Sequence, residues 1–170
     1  MMTMLGGVAL AAPGKDPAPL VLAGDGLAAG GKTLKFDRTA KAQAIAIVTV
    51  VRGKPLKLGN HGDCGQGDEI GFATFAGGLE LSFVKGKLSG WTVDEGGDAR
   101  LRTARGIGLG STLAAVRKAY PDVDIEDFSD SGGPGPSFQR EGGPNGFLNG
   151  KTASARVTDL WAGATCMAGI

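Results

Sequence analysis

Paired glycines break this chain into short pieces. Gly30-Gly31, Gly77-Gly78 and Gly96-Gly97, with further breaks at Gly53 and Lys85-Gly86-Lys87, favour brief elements joined by tight turns. There are 31 glycines in 170 residues, far above the average share of about 7%. Only 8 prolines accompany them and no G-X-Y period is present. Such a chain reads as short strands and turns, neither collagen-like nor a disordered linker.

Between the breaks, apolar spacing predicts the elements. Leu20-Val21-Leu22 and Thr33-Leu34-Lys35-Phe36 read as short strands around the Gly30-Gly31 turn. Asp37 reads as a helix N-cap, and Ala40, Ala44, Ile47, Val48 and Val51 recur at helical spacing before Gly53 and Pro55. The β-branched run from Ile45 to Val51 also fits a strand, so the helix competes with that reading. From Ile70 to Val93 the alternation is plainer. Leu79-Glu80-Leu81-Ser82-Phe83 puts apolar side chains on one face and polar ones on the other, as in an antiparallel meander.

After Gly96-Gly97, Ser111 reads as the cap of a helix over Thr112 to Tyr120, ended by Pro121. An acidic stretch from Asp122 to Asp130 reads as a solvated loop. Strand candidates follow at Ser137-Phe138-Gln139, Gly146-Phe147-Leu148 and Ala155 to Trp161. The order helix, strand, strand, strand thus occurs twice. The expected fold is α+β, an antiparallel sheet with two helices on one face, read as a tandem duplication. Residues 1–12 read as a signal-peptide remnant whose true start lies upstream, and 13–19 as a flexible linker. Residues 20–170 form one domain, with halves at 33–95 and 101–166.

Cys64 and Cys166 are the only cysteines, and behind the apolar stub Met4 to Ala12 they predict one disulfide in an exported, periplasmic or secreted protein. A formal charge of +1 leaves no global field for nucleic acid. No stretch approaches the ~20 apolar residues of a membrane span.

Several motifs invite chemistry. Gly26 to Thr33 satisfies G-x-x-x-x-G-K-[ST], but Thr33 to Asp37 alternates like a strand where a phosphate loop opens a helix, so a plain glycine turn is the better account. Gly106 to Ser111 precedes a helix and could hold an anion, though capping and close packing explain it more simply. His61 is the only histidine, which excludes sites needing two. Paired with Cys64 it would make a nucleophile and base, but a bridged Cys64 has no thiolate to offer. Asp122, Asp124, Glu126, Asp127 and Asp130 carry oxygen ligands for calcium without EF-hand spacing. Trp91, Trp161, Phe72, Phe75, Phe83 and Phe147 fill a core or line a groove, and alternation alone assigns neither tryptophan a face.

Cys64-Gly65-Gln66-Gly67, Gly78 to Phe83, Gly90-Trp91, Leu101 to Thr112, Val116, Tyr120-Pro121 and Leu160 to Gly163 before Cys166 carry a resemblance. From about Leu20 onward the chain resembles small exported bacterial proteins, periplasmic or secreted, to which no activity is assigned. The resemblance implies no catalytic residue, cofactor or metal ligand. More distantly, Gly106 to Pro121 is similar to the glycine-rich turn and helix of periplasmic modules of the outer-membrane-assembly and β-lactamase-inhibitor type. Those tandem helix-plus-sheet folds bind other proteins, and fold alone does not carry function across.

The expectation is a non-catalytic exported module that binds a protein or cell-envelope partner, without cofactor, metal or nucleic acid. The alternatives are a hydrolase or transferase using carboxylates such as Glu69, Glu80, Asp94 or Asp159, and a P-loop-like phosphate binder at Lys32.

Overall fold

The computed structural model describes residues 20–62, 64, 68–127, 129 and 135–166. The expected leader and linker, 1–12 and 13–19, lie outside the described residues. The elements run β1 (Val21–Ala23), β2 (Gly26–Ala29), β3 (Lys32–Lys35), α1 (Lys41–Arg52), β4 (Lys57–His61), β5 (Ile70–Phe75), β6 (Leu79–Val84), β7 (Lys87–Val93) and β8 (Arg102–Thr103). They continue with α2 (Leu113–Ala119), β9 (Asp124–Asp127), β10 (Pro136–Gln139), β11 (Asn145–Leu148) and β12 (Val157–Gly163).

The fold is α+β and mostly strand. An eight-stranded antiparallel sheet has the order β4-β5-β6-β7-β12-β11-β10-β9, and a four-stranded sheet has the order β3-β2-β1-β8. Among the described strands only the β1–β8 pairing is parallel. A helix followed by antiparallel strands occurs twice, as expected, but each set holds four strands where the sequence predicts three. The added ones, β4 and β9, are the two edges of the large sheet. Neither buries a full face, so their alternation is faint in the sequence, and β9 stands where the acidic stretch reads as a loop. The last strands of the two sets, β7 and β12, meet antiparallel at the centre, Leu160 opposite Val93 and Ala162 opposite Trp91.

Local chemistry explains most boundaries. Gly30 and Gly31 have φ of 56° and 75°, the left-handed pair that closes a two-residue hairpin between β2 and β3. Helix α1 starts later than the Asp37 cap predicts. Asp37 instead takes a φ of 59° in the turn leaving β3 and donates its N–H to the Leu88 carbonyl at 2.8 Å. Ala40 is the N-cap, with no side-chain bond, and Gly53 closes the C-terminus through its N–H to the Thr49 carbonyl. The β-branched run stays helical because Ala44 and Val48, one turn apart, both pack in the core, while Val50 on the far side is 78% exposed. At α2 the cap is Thr112, whose hydroxyl accepts from Ala115 N–H at 3.1 Å. Ser111, the predicted cap, accepts from Gly108 N–H at 3.0 Å one step earlier.

One core fills the space between the large sheet, the helices and the small sheet. Leu22, Leu27 and Leu34 from the small sheet, Ala44 and Val48 from α1, and Leu113 and Val116 from α2 meet Leu81, Trp91, Val93, Leu160 and Phe138. Ile70, Phe72 and Trp161 are buried but stand outside this cluster. They alternate with its members along β5 and β12, so they belong to the opposite face of the large sheet.

Candidate functional site

The strand registers define that opposite face. Thr74 pairs with Glu80, Glu80 with Thr92, Thr92 with Trp161, and Trp161 with Asn145. Directly paired residues share a face, so these five form one row across five strands. Beside it run Phe72 and Ser82, paired across β5 and β6, and Asp159, Phe147 and Ser137, paired across β12, β11 and β10. Among the described residues neither helix nor the small sheet packs here; their buried side chains all join the core on the other side.

Aromatics and carboxylates build the surface. The Phe72 ring lies over Gly59 of β4, where an added Cβ would come within 2.9 Å of the ring. His61 stacks on Phe72 with ring centroids 4.4 Å apart, and Lys57 Nζ stands 5.4 Å from the ring centroid. Across this stack His61 Nε2 reaches Glu80 Oε1 at 2.7 Å. On the other half Trp161 and Phe147 pack at 4.7 Å between centroids. The backbone N–H of Glu95 donates to Asp159 Oδ1 at 3.1 Å. Asp94, next beyond Val93, has its carboxyl held above the ordinary carboxylate range by partial desolvation and then by the like charges of Glu80 and Asp159. Two hydroxyls on this face, Ser82 Oγ and Ser137 Oγ, are buried without a hydrogen-bond partner.

The structure sorts the sequence candidates. Of the four carboxylates, Glu80, Asp94 and Asp159 come together, while Glu69 is exposed at the entry to β5 and takes no part in that interaction. Trp91, Phe75 and Phe83 belong to the core; Phe72, Phe147 and Trp161 belong to the open face. Cys64 and Cys166 form a disulfide with Cα atoms 5.3 Å apart. It ties the loop after β4 to the segment just past β12, and it leaves no thiolate beside His61.

The remaining motifs are structural. Gly26 to Thr33 is the β2–β3 hairpin, so no helix N-terminus follows Lys32. Around the second glycine motif, Gly106 N–H donates to the Thr103 carbonyl, Ile107 N–H to the Thr103 carbonyl's neighbouring hydroxyl, Gly108 N–H to Ser111 Oγ and Gly110 N–H to the Val157 carbonyl. Those amides are spent inside the protein. The acidic stretch does not converge: Asp122 accepts from Arg140, Glu126 from Gln139, and Asp127 pairs with Lys151 and Ser129, which hold its carboxyl at about 2. Asp130 lies outside the described residues. Among the described residues no group of three or more His, Cys, Asp or Glu side chains is placed to hold a metal ion.

Sequence reasoning missed the His61–Glu80 pair and the two unpartnered serines. The alternation in β6 already placed Glu80 and Ser82 on one face, but nothing in the chain reports which residues of other strands stand beside them. Compared with models of known protein families, with curated proteins and with solved structures, the chain matches none.

Proposed function

We propose that this is an exported, non-catalytic module that binds a protein or cell-envelope partner through the open face of its eight-stranded sheet. One observation carries the reading: Phe72 and Trp161, nearly buried, and half-buried Phe147 stand among carboxylates on the sheet face opposite the core, where neither helix packs among the described residues. The disulfide supports an oxidising compartment. Among the described residues no helix is long and apolar enough to cross a membrane. The repeated helix-and-four-strand order supports a tandem duplication of halves 33–95 and 101–166.

The test is cross-linked capture from an envelope extract under oxidising conditions. Asn145→Arg and Thr74→Arg, both half-buried on the open face, abolish capture of a reproducible partner, while Val50→Arg on the outer side of α1 leaves it intact. Equal capture by all three variants overturns the reading.

A second reading is a hydrolase or transferase. The approach of Glu80, Asp94 and Asp159, with Asp94 shifted toward its protonated form, favours it. Its mark is turnover of a substrate that Asp94→Asn removes without loss of fold.

A further inference from the structure

The eight-stranded sheet ends in two edges of opposite charge. Lys54-Pro55-Leu56-Lys57-Leu58-Gly59-Asn60-His61, leading into and along β4, holds two lysines and no carboxylate, whereas Asp122-Val123-Asp124-Ile125-Glu126-Asp127, leading into and along β9, holds four carboxylates and no base. Lys54, Lys57, Asp124 and Glu126 are all exposed. Asp122 and Asp127 are engaged by Arg140 and Lys151, but Glu126 accepts from the neutral amide of Gln139, and among the described residues neither Asp124 nor Glu126 is ion-paired.

β4 also carries unpaired backbone. The Leu56 N–H donates to the Thr74 carbonyl at 2.8 Å, so Thr74 turns its peptide groups toward β4. Peptide groups alternate in direction along a strand, so Phe72 and Ile70 turn theirs the same way, and the partners Lys57, Gly59 and His61 answer them. The N–H and C=O of Leu58 and Asn60 therefore point away from the sheet, the template on which another strand can pair. Leu58 is 56% exposed and Leu56 74%, two of the three large apolar side chains exposed among the described residues.

The two edges match face by face. Leu58 pairs with Ala73 and Ile125 with Phe138, so both lie on the core side of the sheet. Lys57 pairs with Thr74 and Glu126 with Ser137, so both lie on the open face. Neighbouring strands of this eight-stranded sheet are antiparallel throughout, so β4 of a second copy set beyond β9 of the first arrives antiparallel to it, with each face continued. Placing Leu58 opposite Ile125 sets Lys57 opposite Glu126 and diagonal to Asp124.

We propose that copies of this chain associate head to tail, β9 of one pairing with β4 of the next, so that one sheet runs on from protein to protein. Lysine against lysine and carboxylate against carboxylate disfavour the symmetric pairing of like edges, while the unlike pair is admitted. Such a heterologous contact leaves a free edge at each end, so growth continues with concentration. Four or five residues of edge make a small contact, and its Kd is on the order of 0.1 mM. Edge pairing leaves the open face uncovered and stands independently of what docks there.

The experiment is sedimentation equilibrium of the full chain, disulfide intact, over concentrations spanning that value. The mean mass climbs past that of a dimer, and association weakens about tenfold or more as salt rises from about 0.05 M to about 0.5 M, because exposed charge pairs are screened. The paired variants Lys54→Glu with Lys57→Glu, and Asp124→Lys with Glu126→Lys, each confirmed folded by circular dichroism, stay monomeric alone and associate when mixed. Hydrogen exchange locates the contact: the amides of Leu58 and Asn60 slow about fivefold or more in the associated protein. A wild type that stays monomeric, a mass that stops at the dimer, charge variants that associate alone as the wild type does, a mixture that stays monomeric, or unchanged exchange at Leu58 and Asn60 overturns the proposal. A monomeric chain whose Leu58 and Asn60 amides are protected by an acidic peptide instead gives this edge to a different protein, and overturns it too.

Discussion

The indole N–H of Trp91 donates to the carbonyl oxygens of Ala23, at 2.9 Å, and Gly26, at 3.0 Å, joining the central strand of the large sheet to the first hairpin of the small one. Trp91 is fully buried, and only two tryptophans occur in the chain. Trp91→Phe keeps an aromatic ring but leaves the buried Gly26 carbonyl and the partly buried Ala23 carbonyl without this donor, and is expected to cost about 1–3 kcal/mol. Trp91→Ala adds a cavity and costs about 3–5 kcal/mol. Urea unfolding followed by the fluorescence of Trp161, the remaining indole, measures both. A loss under 0.5 kcal/mol, on the scale of about the noise between surface variants, contradicts the bridging role.

Asp98 ties three segments together. Its carboxylate accepts from Arg100 through Nε at 2.9 Å and from Arg52 of α1 at 3.0 Å, while Arg52 also donates to the Ala76 carbonyl. These guanidiniums, Arg100 foremost, hold the Asp98 carboxyl well below the usual carboxylate range. A depressed folded-state pKa means the contribution is fully present above the unfolded value of about 3.9 and is lost as pH falls below it. Asp98→Asn is expected to lose about 1–3 kcal/mol at pH 7 and less near pH 2, because there the unfolded wild-type chain binds a proton that the folded carboxylate excludes. Thermal melts at both pH values check the convergence.

Asp94 has the opposite sign. Its carboxyl is raised by desolvation and by Glu80 and Asp159, so ionisation is penalised in the folded state and stability falls as pH rises through the raised value. Asp94→Asn therefore stabilises the protein at pH 7, by at most about 1 kcal/mol, the scale of interactions among partly exposed charges. The gain vanishes at acidic pH, where the wild-type carboxyl is already neutral. Melting temperatures of the two proteins from pH 3 to pH 8 decide the sign; a variant less stable at pH 7 contradicts it.

The disulfide closes a separation of 102 residues. Constraining so long a loop in the unfolded chain stabilises by about 2–4 kcal/mol in typical cases. Cys64→Ser with Cys166→Ser, or reduction of the wild type, is expected to lower the unfolding free energy by that amount and the urea midpoint with it, and reduced wild type and double variant should then coincide. Identical midpoints for oxidised and reduced wild type contradict the assignment.

The strands of the β5–β7 meander are readable from alternation because their inward residues, Leu79, Leu81, Trp91 and Val93, are all buried. The hairpin at Gly30-Gly31 and the glycine break at Gly53 are readable for a related reason: a positive φ favours a residue without a Cβ. Edge strands β4 and β9 bury too little to leave a pattern. The cap of α2 stands one residue from the expected one because Ser111 and Thr112 have similar capping chemistry and only the surrounding backbone selects between them, while α1 starts after Ala40, whose methyl side chain leaves no capping signal.

Alternation in the chain placed Glu80 and Ser82 together on a polar face and required a strand-rich α+β build, because side-chain direction along a strand depends on nothing beyond its neighbours. It said nothing of Asp94 and Asp159 standing beside Glu80, of His61 crossing Phe72, or of which tryptophan faces outward. Those follow from the antiparallel junction of β7 with β12, a contact between residues more than sixty positions apart. Its register is set by packing two four-stranded sets over one core, and no local stretch of chain encodes that.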